Sequence, residues 1–153
     1  QIRRMAKAGI MASMQPAFIP AFIGEKDMAS YEALLGKTRL QRVHPYRTIL
    51  DAGIPVSGGS DSPVTPYDPL KGIQAAVLHP NPLQRITVFE AMQMFTSTAA
   101  FSAFEENEKG TLETGKYADL VVLNDDPFKG PADKIKDIGI HSVFVKGEQY
   151  IAE

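Results

Sequence analysis

The run TILDAGIPVSGGSDSPVTPYDPLKGIQAAV, residues 48–77, constrains the fold more than any other part of the chain. A helical pattern ends on Gly53, and a short run of small and β-branched residues, IPVSGGS, follows at once. That run shows no alternation of apolar and polar positions, which predicts a strand buried on both faces. Pro45 suits the first turn of the preceding helix, and Gly53 suits its end. A Pro-rich loop comes next, and Asp68-Pro69 then predicts a capped helix start over DPLKGIQAAVLH. Helix, doubly buried strand and helix in succession are the signature of a parallel sheet covered by helices.

The rest of the chain extends this order. Residues 2–8 predict a helix stopped by Gly9, and IMASMQP (10–16) predicts a second short buried strand closed by Pro16. Residues 20–42 are polar and mixed, with one helical patch around MASYEALLG that ends on Gly36. TVFEAMQMFTSTAAFSAF (87–104) predicts a long helix opened by a capping box of Thr87 and Glu90, its Met and Phe positions assigned to the core. From Glu105 onward, turn glycines alternate with short β runs. ADLVVLN (118–124) predicts a strand, and HSVFVKGEQYIAE (141–153) a hairpin turning at Lys146-Gly147. The expectation is an α/β chain in two packed units, residues 1–104 and 105–153.

Charge and composition exclude several function classes. A net charge of −2 leaves no basic stripe for nucleic acid. No window approaches the ~20 apolar residues that span a bilayer. Absence of cysteine excludes disulfides and thiolate metal sites. The first residue is Gln1, inside a helical pattern, so a piece of a longer polypeptide is expected. Nothing in the sequence fixes the compartment, and the cytoplasm is the expectation.

Asp61 is the main candidate for chemistry. Locally, Gly-Gly-Ser-Asp-Ser-Pro reads as a turn in which Asp61 caps a backbone amide. Alternatively, Asp61 closes the strand at the carboxyl edge of a parallel sheet, where ligands sit. Gly58 and Gly59 would then keep the strand end slim enough for a ligand to approach. Both readings stand at the level of local sequence. His44, His79 and His141 form no ligand set and are expected on the surface or in a strand. Ser60 fails the nucleophile-elbow pattern, since Ser62 stands where glycine is needed. Glu105, Glu106, Glu108, Asp125 and Asp126 are expected in solvated turns.

ILDAGIPVSGGSDSPVTPYDPLKGIQAAV resembles the eighth-strand region of the metal-dependent amidohydrolases, in particular the YtcJ-like branch that includes N-substituted formamide deformylases. RITVFEAMQMFTSTAAFSAF with KGTLETGKYADLVVLNDDPF is similar to that family's closing segment, IMASMQP to its seventh strand, and IHSVFVKGEQY to its last hairpin. The resemblance implies the last strands and helices of a (β/α)8 barrel (residues 1–104) and part of a small β-sandwich (105–153). It implies hydrolysis of a non-peptide, amide-type carbon–nitrogen bond in a small molecule, with zinc or another divalent metal as cofactor. Asp61 would be both metal contact and proton shuttle. The family's other ligands are a His-x-His, a lysine and two single histidines from the first to sixth strands, and these regions do not occur here. The chain alone is therefore expected to be inactive, to bind metal weakly and to self-associate through open strand edges. The rival readings are a non-catalytic fragment or binding module that keeps part of the fold, and a barrel hydrolase acting on an ester, lactone or ring amide.

Overall fold

The computed structural model of the protein describes residues 1–22 and 28–150. The hairpin residues 151–153 and the stretch 23–27 lie outside the described residues. Two strands, β1 (Ala12–Met14) and β2 (Val56–Gly58), pair in parallel with Ala12 opposite Val56 and Met14 opposite Gly58. Each is delivered by a short helix, α1 (Ile2–Lys7) or α5 (Tyr46–Asp51). Both helices end in the same way. Gly9 and Gly53 take left-handed backbone angles (φ 66° and 74°), and the next amide turns back: Ile10 N–H bonds Met5 O, and Ile54 N–H bonds Ile49 O. This closure needs a residue without Cβ strain and points the chain directly into the strand. Pro45 precedes α5 as its cap residue rather than standing in its first turn.

Between β1 and α5 run α2 (Phe18–Phe22), α3 (Met28–Leu35) and α4 (Lys37–Leu40). After β2 come α6 (Pro69–Val77), α7 (Val88–Phe95) and α8 (Ser97–Ser102). The expected caps form: the Asp68 carboxylate accepts from Leu70 N–H at 3.0 Å, and Thr87 and Glu90 make a reciprocal capping box. Ile54, Val56, Ile73, Ala76, Ala91 and Met94 make the core between the parallel pair and these helices. Val56 and Ser57 are both buried, as a strand covered on both faces requires.

The long helix expected over 87–104 is in fact two helices, broken at Thr96 (φ −127°, ψ −97°). The Thr96 hydroxyl donates to Met92 O at 2.9 Å, and Gly110 lies against the break, where a Cβ would meet Thr96 O at 3.2 Å and Ala100 Cβ at 2.6 Å. A backbone from fourteen residues downstream thus packs directly on the break. The aromatic assignments change accordingly. Met94 is core and Phe95 packs against it, but Phe89, Phe101 and Phe104 are exposed, Phe104 by 91%.

The second sheet is antiparallel, in the order β3 (Leu120–Leu123), β4 (Ile140–Val145), β5 (Glu148–Tyr150), with a register shift between Val122 and Leu123. The β4–β5 turn is Lys146-Gly147 as expected, both residues at positive φ. A 3-10 turn (Ala132–Asp137) leads into β4 and packs on α6, with Ile135 buried and Lys136 N–H bonding Gln74 Oε1 at 3.0 Å. No helix among the described residues is long and apolar enough to cross a membrane.

Candidate functional site

The carboxyl ends of the two parallel strands meet at Met14 and Gly58, and Gly59 N–H donates to Met14 O at 2.9 Å. The 59–68 loop therefore leaves the edge of the sheet where ligands collect in parallel α/β architectures. β2 stops at Gly58, so Asp61 is not the last residue of the strand, as its sequence suggested, but lies three positions beyond it in this loop. The reason is local: Asp61 has φ 57°, in the left-handed region, which no extended strand accommodates.

The loop is held by its own hydrogen bonds. Ser62 N–H donates to Ser60 Oγ at 3.2 Å, Val64 N–H to Asp61 O at 2.9 Å, and the Thr65 hydroxyl to Ser60 O. The Ser62–Pro63 peptide is cis. Among the described residues the Asp61 carboxylate takes part in none of these bonds and in no ion pair, and the side chain is exposed. Asp61 is thus not acting as the amide cap that the turn reading expected; its carboxylate is exposed and unpartnered among the described residues. Aspartate is among the few non-glycine residues that enter the left-handed region with any frequency, and such positions cluster at functional sites.

Gly58 serves the site in a different way. A Cβ there would stand 2.7 Å from the Phe95 ring, so the absence of a side chain lets α7 close on the strand end. Gly59 has open space at its Cβ position.

The histidines behave differently from the sequence expectation in one case. His79 is buried at 4% exposure rather than lying on the surface. Its Nδ1 accepts from Asn81 N–H at 3.0 Å and its Nε2 faces Val43 O at 3.2 Å, so both ring nitrogens are committed to backbone. The ring meets Tyr46 edge-on at 6.1 Å, and Tyr46 stacks on half-buried His44 at 6.0 Å. Burial lowers the pKa of both imidazoles, with charge repulsion from His79 adding at His44. Tyr46 is fully buried and its phenol is pushed far above its usual value by desolvation. This cluster sits at the start of α5 and joins two segments, residues 43–46 and 79–81. Nothing in the sequence flagged it beyond two histidines that each precede a proline. His141 is exposed on β4, as expected.

Glu106 also departs from expectation. Its Oε2 is buried without a hydrogen-bond partner among the described residues, whereas Asp125 and Asp126 are exposed as solvated turns should be. No group of three or more His, Cys, Asp or Glu side chains that could hold a metal occurs among the described residues. A catalytic zinc needs about three protein ligands and an open position. The donors present do not fit a complete metal centre; Asp61 can offer one ligand.

Comparison with known proteins decides the family. The amidohydrolase family model matches residues 1–151. This chain belongs to the amidohydrolase family. It is 31% identical over 157 aligned positions to the YtcJ protein of Bacillus subtilis (strain 168), covering 96% of this chain and 29% of that protein. It is 31% identical over 113 positions to the N-substituted formamide deformylase of Arthrobacter pascens, covering 69% of this chain and 21% of the deformylase. A crystal structure of an uncharacterized metal-dependent hydrolase from Pyrococcus furiosus superposes with a TM-score of 0.70 at 28% identity, over 84% of this chain and 26% of that one. The amidohydrolase chain described here thus spans less than a third of the length of these relatives. Its mixed α/β architecture is that of metal-dependent amidohydrolases.

Proposed function

We propose that this chain forms the seventh- and eighth-strand portion of a (β/α)8 barrel hydrolase, residues 1–104, with residues 105–153 contributing to a β-sandwich. The reaction is hydrolysis of an amide-type, non-peptide carbon–nitrogen bond in a small molecule. The observation that carries this reading is Asp61: a carboxylate beyond the carboxyl ends of two parallel strands, exposed, unpartnered among the described residues, and on a left-handed backbone.

The role assigned to Asp61 is proton transfer. Its carboxylate takes a proton from the water that adds to the carbonyl carbon. It then returns that proton to the nitrogen as the carbon–nitrogen bond breaks, releasing a carboxylic acid and an amine. An amide nitrogen is a poor leaving group until it is protonated, so one carboxylate serving both steps in turn is chemically economical. Zinc or another divalent cation belongs to the proposal, with Asp61 as a single ligand and the remaining ligands outside the described residues. The metal-dependent hydrolase from Pyrococcus furiosus supports a cation of this kind, and the formamide deformylase supports N-substituted formamides as first substrates to try.

Two measurements test the reading. In the complete enzyme, Asp61→Asn should cut turnover of an N-substituted formamide by at least about a hundredfold while circular dichroism stays unchanged. An unaltered rate removes Asp61 from the mechanism. Calorimetry with zinc on the 153-residue chain alone should give no tight isotherm; a tight one would show that a metal site forms without further polypeptide. Both outer edges of the β1–β2 pair are open among the described residues, so the isolated chain should self-associate, and light scattering from a clean monomer at high concentration would count against the barrel assignment.

A further inference from the structure

The Thr65 side chain is almost wholly buried, at 1% exposure, although it lies in a loop whose neighbours Val64 and Pro66 are exposed. Its hydroxyl donates to Ser60 O. That carbonyl belongs to the peptide plane immediately before the Cα of Asp61. The plane immediately after it is held at both of its polar atoms: Asp61 O accepts from Val64 N–H, and Ser62 N–H donates to Ser60 Oγ. With the planes on either side fixed, φ and ψ of Asp61 are fixed, and the direction of its Cα–Cβ bond with them. None of these bonds consumes the carboxylate.

We propose that Thr65 is a positioning residue: its buried hydroxyl, on the Ser60 carbonyl, holds the left-handed backbone that aims the Asp61 carboxylate. The proposal rests on the proton-transfer role given to Asp61 above. It supplies what that role lacks, a reason why an exposed side chain on a loop should keep one direction. A left-handed residue other than glycine costs energy and persists only where its surroundings over-determine it. Thr65 is the one side chain of this loop that is both buried and bonded to the Ser60 carbonyl, in the peptide that enters Asp61, so it anchors the loop to the interior and the backbone angle to the loop. The bland alternative is a core hydroxyl that has merely found an acceptor. The two differ in where a loss would be felt.

Hydrogen exchange on the complete enzyme, read residue by residue by mass spectrometry with fragmentation, separates them. Thr65→Val preserves shape and removes the donor. Exchange at the Ser62 and Val64 amides should accelerate by about tenfold, the scale of one lost hydrogen bond, while amides of β1 and β2 keep their protection. Thr65→Ser restores the donor and should restore protection at both amides. Unchanged exchange in Thr65→Val overturns the proposal, and so does a loss of protection spread evenly through the parallel pair. In the complete enzyme, with an N-substituted formamide as probe, Thr65→Val should lower kcat by about tenfold to a hundredfold, as a misdirected catalytic group does, with KM unchanged and Thr65→Ser largely recovered. If Asp61→Asn abolishes turnover and Thr65→Val leaves kcat intact, the positioning role fails and the role of Asp61 survives. If Asp61→Asn itself leaves turnover intact, the proposed function fails, and the positioning role with it.

Discussion

At the scale of single residues, the tightest constraint beside the site is the contact of Phe95 with two glycines. A Cβ on Gly72 would stand 2.5 Å from Phe95 Cζ, and one on Gly58 would stand 2.7 Å from the same ring. The ring therefore fills the space that two missing side chains leave between α6, α7 and β2. Gly72 lies inside α6, where alanine would be favoured by about 1 kcal/mol on helix propensity alone. Overpacking a closed interior costs about 1–3 kcal/mol, so the steric cost prevails. Gly72→Ala should lower stability by about 1 kcal/mol net, read from urea unfolding. A double-mutant cycle with Phe95→Leu should be strongly non-additive, because the smaller side chain removes the obstacle. Gain of stability in the single variant would mean that the ring gives way freely. The sequence held no sign of this contact. The reason for a glycine at this helix position lies 23 residues away in Phe95.

Among elements, what was legible was what is local. The capping box at Thr87 and Glu90, the Asp68-Pro69 helix start and the two glycine-closed helices that feed β1 and β2 each depend on residues within six positions of one another, and all formed. The break at Thr96 was not legible; the backbone packed against it, at Gly110, lies fourteen positions away. The burial of His79 was hidden for the same reason: its partner carbonyl is on Val43. Asp61 could be singled out from its neighbourhood, but not the fact that its carboxylate is free while Thr65 holds its backbone. The end of α8 offers a prediction at this scale. Glu105 N–H bonds Ala100 O and Phe104 N–H bonds Phe101 O, the same closure as in α1 and α5, yet the left-handed position is held by Phe104 (φ 60°) instead of glycine. With its ring exposed, this phenylalanine returns little packing for the strain it carries. A left-handed non-glycine residue costs roughly 1–2 kcal/mol, while glycine loses some of that advantage through greater chain entropy. Phe104→Gly should therefore raise stability by about 0.5–1 kcal/mol, seen as a higher thermal midpoint; a lowered midpoint would show that the exposed ring makes contacts of value.

Across the whole molecule, stability should depend on pH in two steps with distinct origins. Arg47 on α5 pairs with both Asp51 and Glu90, and the second contact ties α5 to the start of α7 across 43 positions. The guanidinium, together with the Thr87 amide and hydroxyl, depresses the Glu90 carboxyl from 4.5 to about 2. A depressed carboxyl stabilises the fold fully above its unfolded pKa, and that stabilisation is lost as pH falls from about 4.5 towards 2. The second origin is His79. Desolvation lowers its pKa from 6.5, with a smaller unfavourable contribution from Arg85, so the folded state holds it neutral while the unfolded chain takes up a proton. Below pH 6.5 the unfolded state binds more protons than the folded one, and stability must fall with pH. Half-buried His44, lowered in the same direction, adds to this slope. Urea midpoints measured from pH 8 to pH 3 should therefore begin to drop below about pH 6.5 and drop again below about pH 4.5. Glu90→Gln keeps a side chain that can complete the capping box and removes only the charge. It should cost about 1 kcal/mol at neutral pH, the scale of a partly exposed ion pair, and should flatten the lower step alone. His79→Gln should shrink the upper step to the part that His44 contributes and leave the lower one in place. If both steps keep their full size in both variants, the acid sensitivity belongs to other groups, and the Arg47 link and the His79 cluster do not govern how α5 is held against the rest of the fold.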